Sequence, residues 1–111
     1  MSIPVDLAAL QAEVSRFGAR ALLVTTSPAG PPHVSSVLVT FDGEHLAMRG
    51  GRTTRLNASE HPAVTIVWVS AVEADYCLIV DAIAREETDE ILRARPTSAV
   101  LHRLAGEAKS R

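Results

Sequence analysis

Cysteine and aromatic residues are nearly missing from this chain. Of 111 residues one is cysteine, Cys77, and the aromatic share is 4%. A single thiol closes no internal disulfide, which excludes a disulfide scaffold and agrees with a reducing, cytoplasmic setting. Cys77 sits inside the apolar run YCLIV and reads as a buried small hydrophobe. Too few aromatics remain to stack on bases, and 11 Lys and Arg against 13 Asp and Glu give a net charge of −2. Neither a nucleic-acid footprint nor a membrane-binding surface is expected from that balance. The longest apolar run, AVTIVWVSAV, is about half a membrane span. Asp6 and Glu13 near the start break the basic-then-apolar order of a secretory signal, so none is expected.

Recognisable catalytic spacing is also scarce. His33, His45, His61 and His102 have no short metal-ligand spacing and no cysteine cluster beside them, so no metal site is expected. No nucleophile motif surrounds Ser35 or Ser36. Glu86, Glu87, Asp89 and Glu90 fall in or beside a turn and read as solvated residues, not as an acid–base pair.

What the chain does have is a regular succession of short elements, enough for one domain over residues 1–111 that buries roughly two-thirds of its unfolded surface. In DLAALQAEVSRFG, Leu7, Leu10, Val14 and Phe17 recur at helical spacing between an Asp6 N-cap and a Gly18 stop. This predicts one amphipathic helix. RALLVTTS and HVSSVLVTFD are β-branched runs separated by PAGPP, whose prolines are expected to stay outside a central strand. Asp42-Gly43 is a hairpin turn into EHLAMRG. After the second helix come AVTIVWVS, YCLIVDAIAREE and EILRAR, with VEAD and ETD as polar turns and a frayed tail beyond His102. Six strands and two helices result.

The segment Gly50 to Pro62, GGRTTRLNASEHP, concentrates the chemistry. Thr53 and Thr54 are plausible N-caps, so orphan backbone N–H groups would share a pocket with the guanidinium groups of Arg52 and Arg55. Gly50 and Gly51 permit a sharp turn and close approach of a ligand, while the helix dipole adds positive charge at the same point. Such a cluster grips phosphate; the plainer alternative is a strand-to-helix turn with two solvated arginines.

AVTIVWVS is apolar on both alternate sets, with Val64, Ile66 and Trp68 on one face and Val67 and Val69 on the other. One face requires the core, and the other requires a second cover, for which a twofold homodimer or the N-terminal helix would serve.

In order and wording, ALLVTTSPAGPPHVSSVLVTFDGEHLAMRGGRTTRLNASEHPAVTIVWV and RPTSAVLHR resemble the pyridoxamine 5′-phosphate oxidase-like proteins that bind FMN or F420, in particular short actinobacterial members. The resemblance covers nearly the whole chain. It implies a mainly β (α+β) fold: a six-stranded antiparallel split β-barrel with an N-terminal helix and a short helix after strand 3. It further implies a homodimer with its cofactor, FMN or F420, in a groove between subunits. By position, the resemblance places phosphate binding on Arg49, Gly51, Arg52, Thr53, Thr54 and Arg55, followed by Asn57. Ser35, Ser36 and Val37 fall along the flavin ring's polar edge, where backbone groups could do the same work. Many relatives carry a lysine three residues before the asparagine; here Thr54 stands there, and Arg55 is turned from it by about 100° of helix. Ala82 stands where relatives often have glycine. His102 is open to a surface role or to approach towards the groove.

The implied activity is an FMN- or F420-dependent oxidoreductase acting on a small organic substrate, with no protein residue assigned as catalytic because the cofactor carries out hydride transfer. Authentic pyridoxamine phosphate oxidation is not expected, since the chain stops soon after the sixth strand. The alternative is a noncatalytic dimeric module for a phosphorylated ligand or haem, or a cofactor-free relative.

Overall fold

The computed structural model describes residues 2–69 and 75–104. Along the chain come β1 (Ser2–Pro4), a 3₁₀ turn (Leu7–Ala9), α1 (Leu10–Phe17), β2 (Arg20–Ser27), β3 (Gly30–Asp42) and β4 (His45–Arg49). There follow α2 (Arg52–Glu60), β5 (Ala63–Val69), β6 (Tyr76–Thr88) and β7 (Ile91–Arg103). The strands are ordered β1-β7-β4-β3-β2-β5-β6, and β6 pairs with β7 as well. That last pairing closes the six longer strands into an antiparallel barrel, which gives each of them a neighbour on both sides.

The described residues form seven strands where six were expected. The addition is β1, which lies antiparallel on β7 with Ser2 opposite His102 and Pro4 opposite Val100. Ser-Ile-Pro is too short to show a two-residue alternation, so only the available edge of β7 makes it a strand.

Several boundaries move for identifiable reasons. The Asp6 carboxylate accepts from the Ala8 N–H at 3.1 Å and caps the 3₁₀ turn, and the α-helix starts only at Leu10. Leu10, Val14 and Phe17 are buried as their spacing requires, whereas Leu7 stays 43% exposed. Prolines enter two strands against expectation. Pro31 and Pro32 lie in β3 between the Ser27–Gly30 and Thr25–His33 pairs, where the ladder shifts register. Pro96 lies in β7 opposite Ala82, beside another shift. In both places the irregular ladder tolerates the missing N–H, and β7 therefore continues beyond EILRAR to Arg103. The VEAD turn up to Ala74, and the tail from residue 105, lie outside the described residues.

Alternation along β5 sends Val64, Ile66 and Trp68 into the barrel, where they meet Leu23, Leu46, Met48, Leu78 and Val80. Thr65 and Val67 on the outer face are half-buried, and Val69 is exposed. Beside them Leu22, Val34 and Leu38 leave an apolar outer surface on β2 and β3. α1 packs against β5 and β6, and α2 against β2, β3 and β6. No helix among the described residues is long and apolar enough to cross a membrane.

The β6–β7 turn also shifts, because β6 runs through Thr88 and pairs it with Ile91. Asp89 and Glu90 alone make the turn, with φ of 54° and 68°. A two-residue hairpin favours positive φ at both positions because that matches the twist of its strands, yet L side chains are strained there. Glu90→Gly, at the second turn position where glycine is favoured, is expected to raise stability by about 1 kcal/mol. Thermal unfolding checks this as a rise in Tm of roughly 4 °C.

Candidate functional site

Strand β4 delivers Arg49 to a Gly50-Gly51 turn from which α2 leaves. The Gly50 N–H donates to the Glu90 carbonyl at 2.9 Å, tying this turn to the tip of the β6–β7 hairpin. A Cβ at residue 50 would lie 3.2 Å from Thr54 Cγ2 and 3.4 Å from Arg55 Cγ, so the tight approach leaves little room for a side chain. Gly51 is the N-cap, with φ −73° and ψ 178°, in place of the expected Thr53 or Thr54. The helix begins two or three residues earlier than a Thr53 or Thr54 cap requires, and Thr54 is drawn inward. It is 1% exposed, with its Oγ1 3.4 Å from Ser35 Oγ. Glycine has no side-chain oxygen to offer, so the first-turn N–H groups of α2 receive no side-chain cap from it.

Beside this helix start is a surface hollow of about 450 Å³ lined by Ser36, Val37, Leu38, Arg49, Gly50, Gly51 and Glu90. Four of the site residues expected from sequence thus come together: Ser36, Val37, Arg49 and Gly51. Arg49 Nη1 donates to Glu90 Oε1 at 2.8 Å, with side chains 71% and 56% exposed. The β4–β7 register produces this meeting, since Arg49 lies opposite Ile91 and Glu90 is the adjacent residue at the hairpin tip. Glu90 therefore belongs to the wall of the hollow. Local sequence marked it only as a turn residue, because its partner is distant in the chain.

The remaining members divide. Arg52 and Thr53 are exposed on the first turn of α2. Arg55 donates from Nε to the Gly50 carbonyl at 3.0 Å and lines a different hollow with Ala58, Ser59, Pro62, Ala84, Arg85 and Leu92. Ser35 faces Thr54, and Ser36 Oγ accepts from Arg20 Nη1 at 3.3 Å. Asn57 is buried and donates from Nδ2 to Thr25 Oγ1 at 3.2 Å, fixing α2 against β2. His102 Nδ1 lies 3.1 Å from Ser2 Oγ, at the β1–β7 pairing. Ala82 is buried beside the register shift opposite Pro96.

Removing the Asn57 amide would leave the buried Thr25 hydroxyl without that partner. Asn57→Ala is expected to lower unfolding stability by about 1–3 kcal/mol, read as a shift of the chemical denaturation midpoint.

No protein-family model and no curated protein sequence matches the chain. Solved structures do. An F420 reductase superposes with a TM-score of 0.62 at 20% identity, over 73% of this chain and 88% of that one. A Listeria innocua protein named for pyridoxamine 5′-phosphate oxidase gives 0.68 at 14%, over 86% and 96%. HutZ, a haem storage protein from Vibrio cholerae, gives 0.61 at 17%, over 85% and 94%. At these identities it is the architecture that is shared: the chain has the split-barrel fold of the pyridoxamine 5′-phosphate oxidase-like proteins.

Proposed function

We propose that the hollow beside Arg49 receives the phosphate-bearing end of FMN or F420, and that the protein is an oxidoreductase acting on a small organic substrate. The observation that carries this reading is the side-chain-uncapped start of α2 placed next to Arg49 and opening on the hollow. Backbone N–H groups, the helix dipole and a guanidinium then address one anion. Arg52 and Thr53, on the first turn of the same helix, are within the chain's means to complete the shell. The residues present fit a phosphate, and the backbone along Ser36, Val37 and Leu38 supplies a strand edge for a planar ring.

When bound, FMN or F420 would supply hydride-transfer chemistry itself. The chain's own part is to bind, orient and exclude water. The second of these tasks falls to β3, and the third calls for a cover over the hollow. Leu38, 58% exposed, both lines the hollow and belongs to the apolar outer surface with Leu22, Val34 and Val69. A homodimer formed on that surface would place the hollow along the seam between protomers. A cytoplasmic location follows the same reading, from the single thiol in the chain.

A second reading, a noncatalytic dimeric module for a phosphorylated ligand or haem, draws support from the likeness to HutZ and from the separation of Arg55 from Arg49 into different hollows. Turnover separates the two readings: both bind a ligand, and only the first reduces a substrate.

Each guanidinium-to-phosphate bond contributes roughly 1.5–3 kcal/mol. Arg49→Ala and Arg52→Ala are each expected to weaken FMN or F420 binding about tenfold to a hundredfold in a fluorescence titration. Unchanged affinity in both variants would remove the site. Leu22→Glu and Leu38→Glu together are expected to convert a dimer into monomers in sedimentation velocity, because two carboxylates would have to be desolvated at each copy's face.

A further inference from the structure

Asn-Gly would make the β6–β7 turn without strain. The chain instead keeps a glutamate at φ 68°, and that residue holds both starting points of the anion cradle. Its carbonyl accepts the Gly50 N–H at 2.9 Å, and its carboxylate takes the Arg49 guanidinium at 2.8 Å. The backbone contact needs no particular side chain. The carboxylate is therefore the feature that calls for a role, since it adds a negative charge to a hollow otherwise furnished for an anion.

We infer that Glu90 sets the affinity threshold of this hollow: its carboxylate competes with any incoming phosphate for Arg49, so that the site fills only with a phosphate whose carrier makes further contacts. The inference rests on the reading of the hollow as a phosphate site. Both partners of the ion pair are more than half exposed, so the pair is weak enough to exchange. Once displaced, however, the carboxylate remains tethered to the hairpin tip beside the bound anion and repels it. Inorganic phosphate has only its charge with which to offset that repulsion. A phosphate ester with a planar apolar body gains further contact along Ser36, Val37 and Leu38 and overcomes it. A ligand lacking phosphate neither displaces Glu90 nor feels its charge strongly.

The test compares the wild-type chain with Glu90→Gln, which keeps the length of the side chain and the backbone contact while removing the charge. Inorganic phosphate is titrated while the Gly50 and Gly51 amides are followed by NMR. FMN and riboflavin are titrated by the same amides and by fluorescence. The expected result is about fivefold tighter binding of FMN and inorganic phosphate by Glu90→Gln, with riboflavin unchanged. The gain should shrink as salt is raised from about 0.05 to 0.5 M. Equal FMN and phosphate affinities in the two proteins, with both amides still responding, would overturn the role of Glu90 and leave the phosphate site standing. Equal tightening for riboflavin would overturn it too, since the effect would not then be one of phosphate charge. FMN that moves neither amide in either protein would overturn the site and this inference together.

Discussion

The pairing of β7 with both β4 and β6 is the constraint on which the rest of the molecule depends. It converts a meander into a closed barrel, so that each of the six longer strands has a neighbour on both sides. It also sets the position of the β6–β7 tip. With Arg49 registered opposite Ile91, Glu90 has to lie beside the end of β4, and the Gly50 turn is bonded to it. Without that register the helix start and the hairpin tip would not share a hollow.

Within the frame, the two faces of α2 differ in kind. Its inner face is a polar anchor: Thr54 meets Ser35, and Asn57 donates to Thr25 in the interior. These bonds orient the helix so that its N-terminus faces the Arg49 hollow. Its outer face leaves Arg52 exposed and sends Arg55 back to the Gly50 carbonyl. A segment that reads as one cluster of cations and hydroxyls is thus divided between side chains that hold the helix in place and side chains left at the surface. The division follows from helix geometry, because neighbouring residues leave the axis about 100° apart.

The apolar outer surface of β2 and β3 adjoins the hollow. Leu38 belongs to that surface and to the hollow at once. Whatever covers β2 and β3 would therefore also cover the proposed ligand site.

Much of the architecture was legible in the residues themselves. The alternation of Val64, Ile66 and Trp68, the helical spacing of Leu10, Val14 and Phe17, and the Asp42-Gly43 turn each record a local periodicity or backbone preference, and such preferences are carried by neighbours in sequence. The segment around Arg49 to Arg55 was visible as a helix start for the same reason. Which side chains reach the hollow was decided only by tertiary packing. Thr54 was buried and the cap fell on Gly51, the β7 register brought Glu90 to Arg49 across 41 positions, and the edge of β7 made a strand of Ser2–Pro4. Those outcomes depend on partners remote in the chain, and no local pattern encodes the distance between two residues that only a closed sheet brings together.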